Sequence, residues 1–158
     1  MVVAALMAAG AAALAEPPLA VATAALTVIL RADVTERRIP TPVVRGAAVV
    51  VAAALVSVAA TSGEWGRLAW GGLLAAVVAA PFTLAWLVEA VGFGDVRLAF
   101  MVTMTAGWHG VDVVAALWWW ASIAGFVMAL GARVRRTPQV AFAPAIALGW
   151  VLAVGPVA

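Results

Sequence analysis

Gly92-Phe93-Gly94-Asp95-Val96-Arg97-Leu98 sets an aspartate between two apolar runs, in a chain of 158 residues that is 67% hydrophobic. A second stretch, Asp33-Val34-Thr35-Glu36-Arg37-Arg38-Ile39-Pro40, has the same design: an aspartate where an apolar run meets an arginine-bearing break. The whole chain carries only seven acidic residues. Carboxylates at membrane depth are costly, so in such a chain they read as functional by default. Two of them at breaks in the apolar pattern point to a pair acting together, an aspartic dyad.

The composition supports the membrane setting. With mean hydropathy +1.16 and 10% charged residues, no water-facing surface can be assembled from this chain. The expectation is an all-α polytopic membrane protein forming one domain over 1–158. Cysteine is absent, which excludes a disulfide framework, a thiol nucleophile and cysteine-ligated zinc. A single histidine, His109, argues against a histidine metal site or a Ser-His-Asp triad. No cofactor and no metal are expected. The nine basic residues are all arginines and give a net charge of only +2, so they read as topology signals and not as a nucleic-acid patch.

Outward from the two aspartates, apolar runs separated by short polar breaks give the segments. A first stretch over 1–15 stops at Glu16-Pro17-Pro18, and Leu19–Ala32, Val43–Ala60, Leu68–Ala90, Val96–Gly107, Val111–Leu130 and Val140–Val157 follow. A spanning helix needs about 20 apolar residues. The reading is six spans in a core over 18–158, preceded by a short N-terminal hydrophobic segment over 1–17. Ala13-Leu14-Ala15 imitates a signal-cleavage site, but the stretch before it has no positive charge, which favours a retained short helix. Pro81 inside the fourth run is tolerable in a membrane helix.

Arginine placement sets orientation. If the loop after Ala32 is cytoplasmic, alternation puts Arg31, Arg37, Arg38, Arg45, Arg97, Arg133, Arg135 and Arg136 inside, and only Arg67 outside. Asp33 and Asp95 then share the cytoplasmic face, and Trp65, Trp70 and Trp108 lie near the other. The runs flanking the aspartates are short: Leu19–Ala32 rises about 21 Å and Val96–Gly107 about 18 Å, against a hydrocarbon core of about 30 Å. Both carboxylates are therefore expected in a recess open to water from the inner side.

Simpler readings stand beside this one. Asp95 is well placed as a helix N-cap after glycines that end the previous helix. Asp33 is placed to pair with Arg37 one helical turn on, with Ile39-Pro40 barring continuation. Glu89 reads as a cap or a partner for Arg97. His109 reads as a loop residue, Asp112 as an N-cap, and Trp118-Trp119-Trp120 as packing and lipid contact.

Taken together, the motifs match a family. Asp33 followed by Arg38-Ile39-Pro40 resembles the first aspartate motif of the prepilin peptidases. Glu89-Ala90-Val91-Gly92-Phe93-Gly94-Asp95-Val96-Arg97-Leu98 is similar to their second, and Phe142-Ala143-Pro144-Ala145-Ile146-Ala147-Leu148-Gly149 to a third in the last helix. These are type IV leader peptidases, of the GxGD class of intramembrane aspartic proteases. Order and spacing agree from about Leu19 onward. Departures are Thr41 where asparagine is common after Ile-Pro, and Ala141 and Ala143 where proline and glycine are usual before Pro144. Larger members carry a cysteine-bearing cytoplasmic insert and methylate the new N-terminal residue. The break at Glu16-Pro17-Pro18 has no such insert, so the resemblance is to a minimal, cleavage-only form.

The resemblance implies a six-helix core with Asp33 and Asp95 catalytic, and with Gly92, Gly94, Arg97, Glu89, Arg38, Pro40 and Pro144 binding substrate or shaping loops. It implies a prepilin or pseudopilin substrate with a short basic leader, cleaved at the cytoplasmic face of the inner (plasma) membrane. Gly92 and Gly94 would leave room for an extended substrate backbone. Helix dipoles suggest an asymmetry, with Asp95 at a helix start as base and Asp33 at a helix end as acid. Three alternatives compete with this reading. A presenilin-like GxGD protease would bring a Tyr-Asp motif, and this chain has no tyrosine. A small transporter or pilus assembly subunit would bring inverted-repeat symmetry, and no internal duplication is visible. An inactive homologue would have no need of both aspartates.

Overall fold

A computed structural model describes residues 16–36, 41–89, 91–134 and 142–155. The stretch over 1–15 and Arg37, Arg38, Ile39 and Pro40 lie outside the described residues, and so does what was expected of each. Six helices make up the structure: α1 (Pro17–Glu36), α2 (Thr41–Ser62), α3 (Trp65–Leu87), α4 (Phe93–His109), α5 (Val111–Val134) and α6 (Ala143–Val154). No strand occurs among the described residues. α1, α2, α3 and α5 are each long and apolar enough to cross a membrane.

Their surfaces are those of lipid-facing helices. Val49, Leu73, Val77, Leu84, Trp119, Phe126 and Val127 are all exposed, and the threonines of these helices turn back onto their own backbone. Thr23, Thr27, Thr61, Thr83, Thr103 and Thr105 each donate to the carbonyl four residues earlier. That bond satisfies a hydroxyl where no water is at hand.

α4 is the central post and touches each of the other five helices. It is buried on several faces, through Leu98, Ala99, Met101, Val102, Thr103, Ala106 and Gly107. α3 meets it along a face of small residues, Gly71, Ala75 and Ala79. A Cβ on Gly107 would lie 2.8 Å from the Gly71 Cα, so the two backbones cross with no side chain between them. Lipid is as apolar as leucine, so membrane helices associate through close approach of this kind. α5 and α6 form a second tight pair, where a Cβ on Gly149 would strike the Leu117 carbonyl and come within 2.9 Å of Ala121. Buried hydrogen bonds then cross between helices: Trp150 Nε1 donates to Thr23 Oγ1 at 3.0 Å and Trp118 Nε1 to Thr103 Oγ1 at 2.9 Å.

Every helix differs from its apolar run at one end or both, and at α1 and α4 the differences matter. α1 runs on to Glu36, so Asp33 lies inside the helix, one turn before its end. At 20 residues α1 extends about 30 Å, and the 17 residues of α4 about 25 Å. Asp33 nevertheless stands about 24 Å from the start of α1 and Asp95 about 21 Å from the end of α4, both short of a hydrocarbon core of about 30 Å. Polar residues are compatible with a helix that has already left the apolar layer, and periodicity alone could not show this.

Candidate functional site

Asp33 and Asp95 come from opposite helix ends. α1 delivers Asp33 from its last turns, and α4 delivers Asp95 from its first. α1 and α4 pack against each other, and the Asp33 charge bears on the Asp95 carboxyl. Asp33 is buried, at 5% exposure.

Each carboxylate is held by a backbone amide. The Ala143 N–H donates to Asp33 Oδ2 at 3.1 Å, across 110 positions of sequence. Ala143 and Pro144 open α6, and proline in a first turn gives up an N–H that the helix would leave unpaired anyway. Asp33 therefore faces the start of α6, whose positive end favours a carboxylate.

Asp95 is not an N-cap. Gly92 holds that position, and Asp95 sits three residues on, its Oδ2 accepting the Gly92 N–H at 3.1 Å. The Asp95 N–H in turn donates to the Gly92 carbonyl at 3.0 Å. Gly92 has an ordinary extended conformation, with φ −75° and ψ 150°, which any residue adopts. Its missing side chain has a different use: a Cβ there would lie 3.3 Å from Asp95 Oδ2. The glycine makes room for the carboxylate itself. Gly94 lies in the first turn of α4.

The dipole asymmetry drawn from the sequence does not survive this geometry. It required Asp33 to face only the negative end of its own helix. Because α6 presents its first amide to Asp33, both carboxylates lie at helix starts, and the dipoles no longer tell them apart.

The remaining site residues divide. Pro144 is brought to Asp33 by the α6 start. Arg97 lies one turn into α4 with its guanidinium 4.3 Å above the Phe93 ring, and Phe93 packs on Trp86 at 4.8 Å. Its Nη1 is buried without a hydrogen-bond partner among the described residues. Glu89 does not pair with it. Glu89 is exposed and adopts φ 59°, and its N–H closes onto the Trp86 carbonyl at 2.9 Å as α3 ends. A left-handed glutamate is uncommon and identifies a chain reversal. Arg38 and Pro40 fall outside the described residues.

Sequence reasoning missed two features here. The Ala143 amide has no side-chain signature, although the adjoining Pro144 indicated a helix start. His109 is no loop residue: it ends α4 with its side chain only 9% exposed. No group of three or more metal-ligating side chains occurs among the described residues. In comparisons with known proteins, no family model, no curated protein and no solved structure matches the chain.

Proposed function

We propose that this chain is a membrane aspartic endopeptidase of the prepilin-peptidase kind, with Asp33 and Asp95 as its catalytic pair. One observation carries the reading: two aspartates far apart in sequence are carried by helices that pack together, α1 and α4, in a protein with only seven acidic groups. The third motif strengthens it, because Ala143-Pro144 opens the helix whose first amide holds Asp33.

Peptide hydrolysis by two carboxyls requires one ionised group to activate water and one protonated group to polarise the scissile carbonyl. Two carboxylates sharing a site resist double ionisation, and the resulting titration belongs to the pair. The Ala143 and Gly92 amides fix one oxygen of each aspartate and leave the other free for water or substrate. Arg97, stacked and without a hydrogen-bond partner for Nη1, is a cation available beside the substrate path.

The proposed substrate is a prepilin or pseudopilin, its short basic leader on the cytoplasmic side and its apolar helix in the bilayer. The arginine bias supports an orientation with the aspartates on that side. Co-expression with candidate prepilins tests the reading, scoring leader removal by wild type, Asp33→Asn and Asp95→Asn. Wild type should cleave at least one candidate, and each variant should fold and fail to cleave. Processing that survives both substitutions would refute the assignment.

A further inference from the structure

The ends of α1 and α4 opposite the aspartates carry a second group of ionisable residues, which the proposed chemistry does not use. His109, the last residue of α4, lies at the turn into α5, beyond the four spans. Its Nε2 is buried, has no hydrogen-bond partner, and lies 3.4 Å from Glu16 Oε2, beside the start of α1. That separation is too long for a good hydrogen bond.

Around the ring the charges are fixed. From α3, Arg67 Nε donates to the Trp108 carbonyl at 3.0 Å, its Nη1 bonds both Glu64 oxygens at 3.0 and 3.1 Å, and its guanidinium lies 5.1 Å over the Trp108 ring. From α5, Asp112 sits against Gly110. α6 has no charged residue. Beside the cluster is a recess of about 340 Å³, lined by Glu16, Pro17, Val58, Glu64, Arg67 and Trp108.

We propose that His109 is a proton-operated latch: its uncharged ring, buried beside Glu16, joins the ends of α1 and α4 there, and proton uptake expels it. A buried imidazole can leave only by reaching water, and Glu16 and Trp108, its neighbours in space and in sequence, line the recess. Burial disfavours the charged ring, Glu16 favours it and Arg67 disfavours it, which together hold its pKa below the ordinary 6.5. The packed state therefore binds fewer protons than the released one. Packing is favoured above the ordinary imidazole range and lost as pH falls through it. The device is independent of the peptidase reading, although the same two helices carry Asp33 and Asp95 at their far ends.

The chain has no cysteine, so a single Val58→Cys substitution places one thiol in the recess. Its labelling rate with N-ethylmaleimide is measured from pH 8 to pH 5 in the full-length protein and divided by that of Thr61→Cys, an exposed position on the same helix. The ratio should rise several-fold on acidification, and should stay flat when His109→Gln is added. Glu16→Gln should keep the rise and enlarge it, because the charged ring loses its counter-ion. A flat ratio with His109 present, an equal rise with His109→Gln, or loss of the rise in Glu16→Gln would each overturn the proposal. So would loss of the far-ultraviolet helical signal over the same range, which would mean general acid unfolding.

Discussion

Alanine at Gly71 and alanine at Gly72 should have opposite consequences, although the two glycines are neighbours on α3. A Cβ at Gly71 would lie 2.9 Å from the Met104 carbonyl oxygen and 3.3 Å from the Trp108 nitrogen. Both are backbone atoms of α4, so relief requires a helix to move and not a side chain to rotate. Overpacking of this kind costs about 1–3 kcal/mol. A Cβ at Gly72 meets nothing within 4 Å. In both variants alanine gains about 0.8–1.0 kcal/mol of helix propensity over glycine. That common gain cancels in the comparison, and Gly72→Ala should be the more stable by about 1–3 kcal/mol. Unfolding by SDS in mixed micelles, followed by circular dichroism, measures the difference. Equal stability within about 0.3 kcal/mol, the ordinary error of additivity, would refute the backbone crossing of α3 on α4, and so would a more stable Gly71→Ala.

Other perturbations separate site from scaffold. Gly92→Ala sets a Cβ 3.3 Å from Asp95 Oδ2 and must displace that carboxylate. Leader cleavage should fall about ten- to a hundredfold with the unfolding midpoint unchanged; full activity would show that the carboxylate position is not critical. The Thr23–Trp150 bond should give a coupling of about 0.6 kcal/mol, and no more than about 1.7, in a cycle of Thr23→Val and Trp150→Phe, as for other hydrogen bonds between membrane helices. Zero coupling would mean that the indole finds another partner. Gly110 has φ 140° and faces the Asp112 carboxylate. Gly110→Ala should cost about 1–3 kcal/mol of stability, and part of the loss should return with Asp112→Ala; no loss would show that the α4–α5 turn relaxes freely.

The apolar runs made the six helices legible, since each is a stretch of hydrophobic residues ended by charge, proline or glycine. What they could not show was where helix continues without hydrophobicity. The four residues after Ala32 are polar or charged apart from Val34, yet α1 includes them, and Asp33 moved from a loop edge to a helical turn. At the candidate site the aspartates were legible from composition alone, because so few acids occur in the chain. Their partners were not. Arg97 lies near Glu89 in sequence, but the left-handed turn at Glu89 ends α3, and Arg97 stacks on Phe93 instead. The amide that holds Asp33 belongs to an alanine 110 positions away, and nothing in an alanine announces such a role. His109 was misread for a related reason: it lies 3.4 Å from Glu16, a residue far from it in sequence.

The glycine crossings have a mechanical consequence. Where backbones meet without intervening side chains, α3 with α4 and α5 with α6 are each fastened as a stiff strut. Asp95 rides on one strut, the Ala143 amide on the other, and Asp33 on α1, which is locked to neither in this way. Membrane helices answer a mismatch with bilayer thickness in part by tilting, and struts that tilt as units would carry that change to the gap between the two carboxyl groups.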